Sequence, residues 1–367
     1  MAPMGTTPPT RTSITVSVDA MGGDRGPEAV VGGLALSARR NPDIRFILHG
    51  DAARLTPLVA RAGEALKDRC EVRHADRTIT MDEKPSQVVR NGQDSSMWSA
   101  VEAVRAGDAA VAVSCGNTGA LMALSMLRLR RLPGVNRPAI ACLWPSRNPA
   151  GFNVMLDVGA DVRADAEDLM RFALMGASYA RNGLGVKHPR VGLLNVGTEE
   201  HKGRPELRAA LDLIAGAAVR GGYECVGFIE GGDIPGNKAD VIVTDGFTGN
   251  VALKTGEGTA GLIRDFLRET FRETLLARVG ALFALNSLRR LQKRTDPRRV
   301  NGGVFLGLNG TVIKSHGSAD AVGVSAAVKL AFELAQSGFL DRLAARIASG
   351  EAPAVAIAPE AGGEAAS

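Results

Sequence analysis

A chain of 367 residues with 45% hydrophobic and 23% charged residues has the composition of a folded protein, with room for one large or two medium domains. The net charge of +5 is mildly basic, and much of the excess falls between Arg264 and Arg299, so it describes a local face suited to an acidic protein, an anionic membrane or a phosphorylated ligand. Aromatic residues make up only 4%, and no helix-turn-helix, zinc or RNA-binding signature occurs, which argues against nucleic acid.

In chain order, Met1–Thr12 reads as a disordered tail without the apolar centre of a signal peptide. Strands are predicted at Ser13–Val18, Asp43–His49, Cys70–Ala75, Ala109–Ser114, Pro138–Trp144, Phe152–Asp157, Arg190–Leu194, Glu224–Ile229 and Ala239–Thr244. Helices are predicted after Pro27, over Ala52–Leu66, after Pro85, over Ser95–Ala106, after SCGNTG, over Ala164–Asn182 and Glu206–Arg220, and from Gly249–Asn250 onward. Val304–Leu306 and Thr311–Lys314 read as paired strands, Ala319–Gln336 as the last helix, and 350–367 as a second disordered tail. Strands alternate with helices throughout, so the fold class is α/β, with a mostly parallel sheet covered by helices on both faces. The expected organisation is a single domain over 13–349, with an arm at about 259–299 projecting from it. No apolar run reaches the roughly 18–20 residues that span a bilayer. Cys70, Cys115, Cys142 and Cys225 lie far apart and form no CxxC pair, which argues against zinc or disulfides and for a cytoplasmic protein.

Several strand ends carry glycine beside amide or charged residues: DAMGGD, SCGNTG, NVGTEEHKG, EGGDIPG and TDGFTGN. One such turn is commonly structural, because glycine permits positive φ and close packing. Their recurrence points to one cleft lined by backbone N–H groups and helix N-termini, which suits phosphate. None is a GxGxxG or GxxxxGK[ST] fingerprint, and neither a metal nor an organic cofactor is called for, although Asp19, Asp24, Asp233 and Asp245 leave a metal open.

The blocks VDAMGGDRGP, SCGNTGALM, LNVGTEEHKG, FIEGGDIPGNKADVIVTDGFTGNVALKTGEG and HGSAD occur in the order that marks the PlsX family, which the chain resembles from about Ile14 to Leu340. These are acyl-(acyl carrier protein):phosphate acyltransferases of bacterial phospholipid synthesis. The resemblance implies a three-layer α/β/α sandwich similar to isocitrate/isopropylmalate dehydrogenases and phosphotransacetylases. It further implies a homodimer, cytoplasmic but peripherally membrane-associated, using acyl carrier protein and inorganic phosphate. Its acyl phosphate would pass to a membrane glycerol-3-phosphate acyltransferase. Cys115 departs from the pattern, where a small residue such as alanine is expected.

In that reaction phosphate attacks a thioester carbonyl and a thiolate leaves, so positioning and oxyanion stabilisation matter more than a strong base. Lys202 is the first choice to hold phosphate or the oxyanion. His316 is placed to protonate the thiolate or bond phosphate, Asp245 to orient a cation or act as a base, and Asn195 to complete the catalytic set. The expected binding residues are Asp19, Gly22, Gly23, Asn117, Thr118, Gly119, Gly197, Glu199, Gly246, Asn250 and Lys254. Capping, loop-tying or solvated roles compete at each of these positions. An acyl-cysteine at Cys115 is disfavoured, and His316, Ser318 and Asp320 are too close in sequence for a triad. Thr259–Arg299 has apolar residues at steps of three and four opposite a row of arginines and reads as amphipathic helix, broken at Gly280 or Asn286. It is expected to pack a dimer and touch anionic lipid with its tip; Arg128, Arg130 and Arg131 or this arm offer a dock for an acidic carrier. A phosphotransacetylase-like enzyme using acyl-CoA, a decarboxylating dehydrogenase and a non-catalytic membrane scaffold are the competing readings.

Overall fold

The computed structural model describes residues 13–199, 202–295 and 302–351. Both predicted tails, apart from the few residues next to the fold, and Glu200 and His201 lie outside the described residues. In chain order the elements are β1 (Ile14–Asp19), α1 (Gly26–Arg40), β2 (Ile44–Gly50), α2 (Ala52–Arg61), α3 (Glu64–Lys67), β3 (Cys70–His74), α4 (Pro85–Asn91), α5 (Ser96–Arg105), β4 (Val111–Ser114) and α6 (Thr118–Arg128). Then follow β5 (Ala139–Pro145), β6 (Phe152–Leu156), α7 (Ala166–Leu184), β7 (Arg190–Leu194), α8 (Pro205–Gly221), β8 (Glu224–Ile229), β9 (Val241–Val243) and α9 (Gly246–Glu273). The described chain ends with α10 (Leu275–Thr295), β10 (Gly303–Leu306), β11 (Thr311–Lys314), α11 (Ala321–Gln336) and α12 (Phe339–Glu351).

The strands form one 11-stranded sheet in the order β3-β2-β1-β4-β11-β10-β5-β6-β9-β7-β8. It holds two parallel blocks, β3-β2-β1-β4-β11 and β6-β9-β7-β8. Antiparallel pairing of β10 with β11 and β5, and of β5 with β6, joins them and reverses chain direction between the blocks. Alternate strand residues feed two cores. Val111 and Val113 join one with α1, α7 and α11, whereas Ala112 joins another with α5 and α6. Burial on both faces is why these strands read as continuous apolar runs, and it makes the fold a three-layer α/β/α sandwich.

Local chemistry sets most helix starts. Asp51, Ser95, Asn117, Asp165, Asp245 and Asp320 each accept a backbone N–H at a helix N-terminus, meeting donors that have no partner within the helix. These caps explain several departures from the sequence reading. Asp245 starts α9 at Gly246 rather than at 249–250, and Asp320 starts α11 at Ala321 rather than 319. The predicted 52–66 helix is two helices, because Gly63 takes φ +97 between them.

The helical stretch from Gly246 to Thr295 breaks at Thr274, not at Gly280 or Asn286. Thr274 is extended (φ −128°, ψ 155°), and its hydroxyl accepts the Ala277 N–H at the start of α10. Helix α12 was not expected. It buries Phe339, Leu343 and Ile347, one turn apart, with the Phe339 ring edge-on to Tyr179 at 5.7 Å. No helix among the described residues is long and apolar enough to cross a membrane.

Candidate active site

The predicted residues gather in two clusters, one at the ends of each parallel block. In the first, Asp19, Ser114 and Lys314 are register partners across β1, β4 and β11. Asp19 is buried. Its carboxylate accepts the hydroxyls of Ser96 and Ser114 at 2.7 Å each, and the N–H groups of Met21 and Gly22 at 3.2 and 3.3 Å. A carboxylate so filled ties three elements together and keeps little capacity for a ligand. The turns after these strands pack backbone to backbone. A Cβ on Gly22 would lie 2.7 Å from the Gly116 nitrogen, and Gly23, at φ +96°, sits against Cys115 and Gly317. Asn117 caps α6 by accepting the Ala120 N–H at 3.0 Å and donates to the carbonyls of Met81 and Glu83 at 2.9 Å. Thr118 opens α6, and Gly119 lets it approach Pro85. His316 is exposed, and its Nδ1 lies 2.8 Å from the Ser318 hydroxyl, a local pairing that does not make a triad.

The second cluster lies at the ends of β6, β9 and β7. Asp245 is buried; one oxygen accepts the Thr248 N–H at 2.8 Å as the α9 cap, and the other pairs with Arg204 at 2.7 Å. Burial alone would raise its pKa, but the Thr248 and Arg204 bonds outweigh it and hold the carboxyl below its ordinary range. The structure thus places Asp245 as a cap that orients Arg204, a geometry that leaves it a weak base. Lys202 bridges to Glu199 at 2.7 Å, is well exposed, and folds over Gly197, where a Cβ would meet its stem at 2.4 Å. The Glu199 bond raises the Lys202 pKa, keeping it cationic. Asn195 is 7% exposed and donates to the Lys202 carbonyl at 3.1 Å, while its Oδ1 has no partner among the described residues.

Gly246 and Gly249 allow α9 to rest on the turn after β6, against Asp157 and Asp161. Asp157, fully buried, accepts N–H groups from Ile140, Gly159, Ala160 and Asp161, yet burial still pushes its pKa up to about 6. Asn250 donates to the Val158 carbonyl at 3.1 Å, and Lys254 pairs with Glu257 at 2.8 Å.

The structure therefore resolves the single predicted cleft into two clusters linked by α9. That helix starts on the second cluster, and its Lys254 lies close enough to Lys314 of the first to lower its pKa. Sequence reasoning missed Arg204, Asp157 and Lys314. Arg204 stands two residues past Lys202 in the same turn, and Lys314 is a lone cation closing the apolar strand TVIK, so both carried a readable signal. Asp157 carried none beyond its place at a strand end. Cys115 is buried and its thiol is pushed up by burial, opposite to what a nucleophilic thiolate needs. No cluster of three or more potential metal ligands occurs among the described residues.

Residues 14–342 match the family model described as "Fatty acid synthesis protein". The chain is 72% identical over 336 residues to a phosphate acyltransferase of Cereibacter sphaeroides, covering 92% of this chain and 90% of that one. It is 69% identical over 341 residues to a phosphate acyltransferase of Paracoccus denitrificans, covering 93% and 92%. Among solved structures, a phosphotransacetylase from Streptococcus pyogenes superposes with a TM-score of 0.58 at 17% identity, covering 88% of this chain and 94% of that one. The EutD phosphotransacetylase from Staphylococcus aureus gives 0.56 at 14%, covering 89% and 94%. These two likenesses concern the fold. Taken with the identities to phosphate acyltransferases along almost the whole chain, the family match means that the chain belongs to the PlsX family and is an acyltransferase.

Proposed function

We propose that this acyltransferase makes acyl phosphate from inorganic phosphate and a long-chain acyl thioester of acyl carrier protein, for bacterial phospholipid synthesis. The observation that carries this reading is the turn after β7, where Nδ2 of the buried Asn195 holds the Lys202 carbonyl and so fixes the base of an exposed, cationic Lys202 at the strand end. A phosphate dianion offers a negative charge that can take the place of the Glu199 carboxylate at the exposed ammonium. A phosphate oxygen then attacks the thioester carbon, the carbon–oxygen bond forms, and the carbon–sulfur bond breaks as the thiolate leaves and takes up a proton. Lys202 and Arg204 stabilise the charge that develops on the carbonyl oxygen, so the step needs no strong base. Lys254 and the N-terminus of α9 add positive potential on the path toward the other cluster.

The exposed apolar residues of α9 and α10, among them Phe266, Leu282 and Phe283, support the remainder of the reading. The two helices pack a homodimer, and their tip touches anionic lipid. A cytoplasmic, peripherally bound enzyme of this kind hands its insoluble product to a membrane glycerol-3-phosphate acyltransferase. Phe283→Glu should weaken pelleting with anionic liposomes severalfold while the dimer persists in size-exclusion chromatography. Equal pelleting of wild type and variant refutes the membrane contact.

The decisive assay supplies purified protein with phosphate and either an acyl carrier protein thioester or an acyl-CoA, and measures acyl phosphate. Product from the carrier thioester in preference to acyl-CoA is expected. Product from acyl-CoA alone transfers the assignment to a phosphotransacetylase-like donor, and product from neither overturns both.

A further inference from the structure

The first cluster contains a cation that the reaction scheme above does not use. Lys314 closes β11, a strand flanked by β4 and β10 inside the sheet. Its side chain is half-buried, an unusual place for an ammonium. Two of its three N–H donors go to main-chain carbonyls, that of Cys115, in the turn after β4, at 3.2 Å, and that of Ser315, in the turn after β11. The charged groups that face it are the carboxylates of Asp19 from β1 and Asp24 from the turn before α1, together with Lys254 from α9; the Cys115 thiol lies beside them. Asp24 itself is pinned to this spot, since its N–H donates to the Gly317 carbonyl at 2.8 Å and its carboxylate lies against Gly317.

We propose that Lys314 is a positioning residue for phosphate: it ties the turn after β4 to the turn after β11, and its charge offsets Asp19 and Asp24. Without it, two carboxylates would oppose the positive potential that Lys254 adds on the path along which phosphate reaches Lys202. This inference rests on the proposed use of phosphate. Burial pulls the ammonium pKa down to about 8, with Lys254 adding to the fall and Cys115, Asp19 and Asp24 opposing it. The offset is therefore mostly in place at neutral pH and is lost as pH rises through about 8.

The test compares wild type, Lys314→Met and Lys314→Arg in acyl phosphate formation. Lys314→Met should raise the phosphate KM by about tenfold or more while leaving the acyl-donor KM within about twofold. Wild-type phosphate KM should climb relative to that of Lys314→Arg between about pH 7 and pH 9.5, because the guanidinium stays charged. Taking the ratio of the two enzymes cancels the titration of phosphate itself. A folded Lys314→Met with the wild-type phosphate KM overturns the proposal, and so does a wild-type to Lys314→Arg ratio that is flat across pH. Should Lys314→Met not fold, that ratio alone decides. If wild type makes no acyl phosphate from any donor, the functional reading fails by itself. Stabilisation of wild type and Lys314→Arg by inorganic phosphate in thermal melts, followed over the same pH range, then judges Lys314 separately.

Discussion

The two clusters at the strand ends are built from similar residues and held in opposite ways. At β1, β4 and β11 the carboxylate and the amide are filled: Asp19 takes four donors, and Asn117 both caps a helix and holds two carbonyls. At β7 and β9, Lys202 makes an exposed ion pair with Glu199, and the Asn195 carbonyl oxygen has no partner among the described residues. A saturated network costs too much to open for a ligand, whereas an exposed pair worth under about 1 kcal/mol is readily exchanged for phosphate. The same Gly–Asn–Asp vocabulary therefore serves as a frame in one block and as a set of available groups in the other.

The sharpest way to break this contrast is Lys202→Ala. It should lower kcat/KM for phosphate by about a hundredfold with little change in melting temperature, because its ion pair is exposed. Near-normal phosphate kinetics would remove Lys202 from the site. Asp157 tests the contrast from within the second block, since it is a frame residue there. Its folded pKa, about 6, lies above its unfolded value of 3.8, so the stability it adds is full below about pH 4 and is lost as pH rises through about 6. Asp157→Asn should abolish that part of the pH dependence, at most about 3 kcal/mol between pH 4 and pH 7. Chemical denaturation at the two pH values measures it, and an unchanged difference would show that Asp157 is not the group responsible. The smallest effect is expected at Cys115→Ala, which should keep activity within about twofold, because a buried thiol raised by desolvation is no nucleophile. A folded but inactive variant would restore the acyl-cysteine mechanism.

Much of the α/β alternation was legible because its signals are local. Apolar β-branched runs, the paired short strands before the last helices, and Asp or Asn at helix starts each act within a few residues. The misses were local rules overridden by packing. Gly280 and Asn286 look like breaks, yet the chain turned at Thr274, where an extended residue with a capping hydroxyl begins the next helix. Helix α12 was not predicted within the domain, and its Phe339 face finds its place to bury against Tyr179 and the core.

By itself the sequence determined most of the elements, the order of the Gly-rich turns and the family blocks, since these depend on residue type and short spacing. Tertiary structure decided which turns meet and what each polar group is left to do. Asp245 found Arg204 41 residues away, Asp19 found Ser114 at a separation of 95, and Lys314 found the Cys115 carbonyl at 199. Hydrogen-bond capacity is finite, so a carboxylate or ammonium is structural or available according to how many partners the fold brings to it, and that number is set by contacts too distant in the chain for any local pattern to encode.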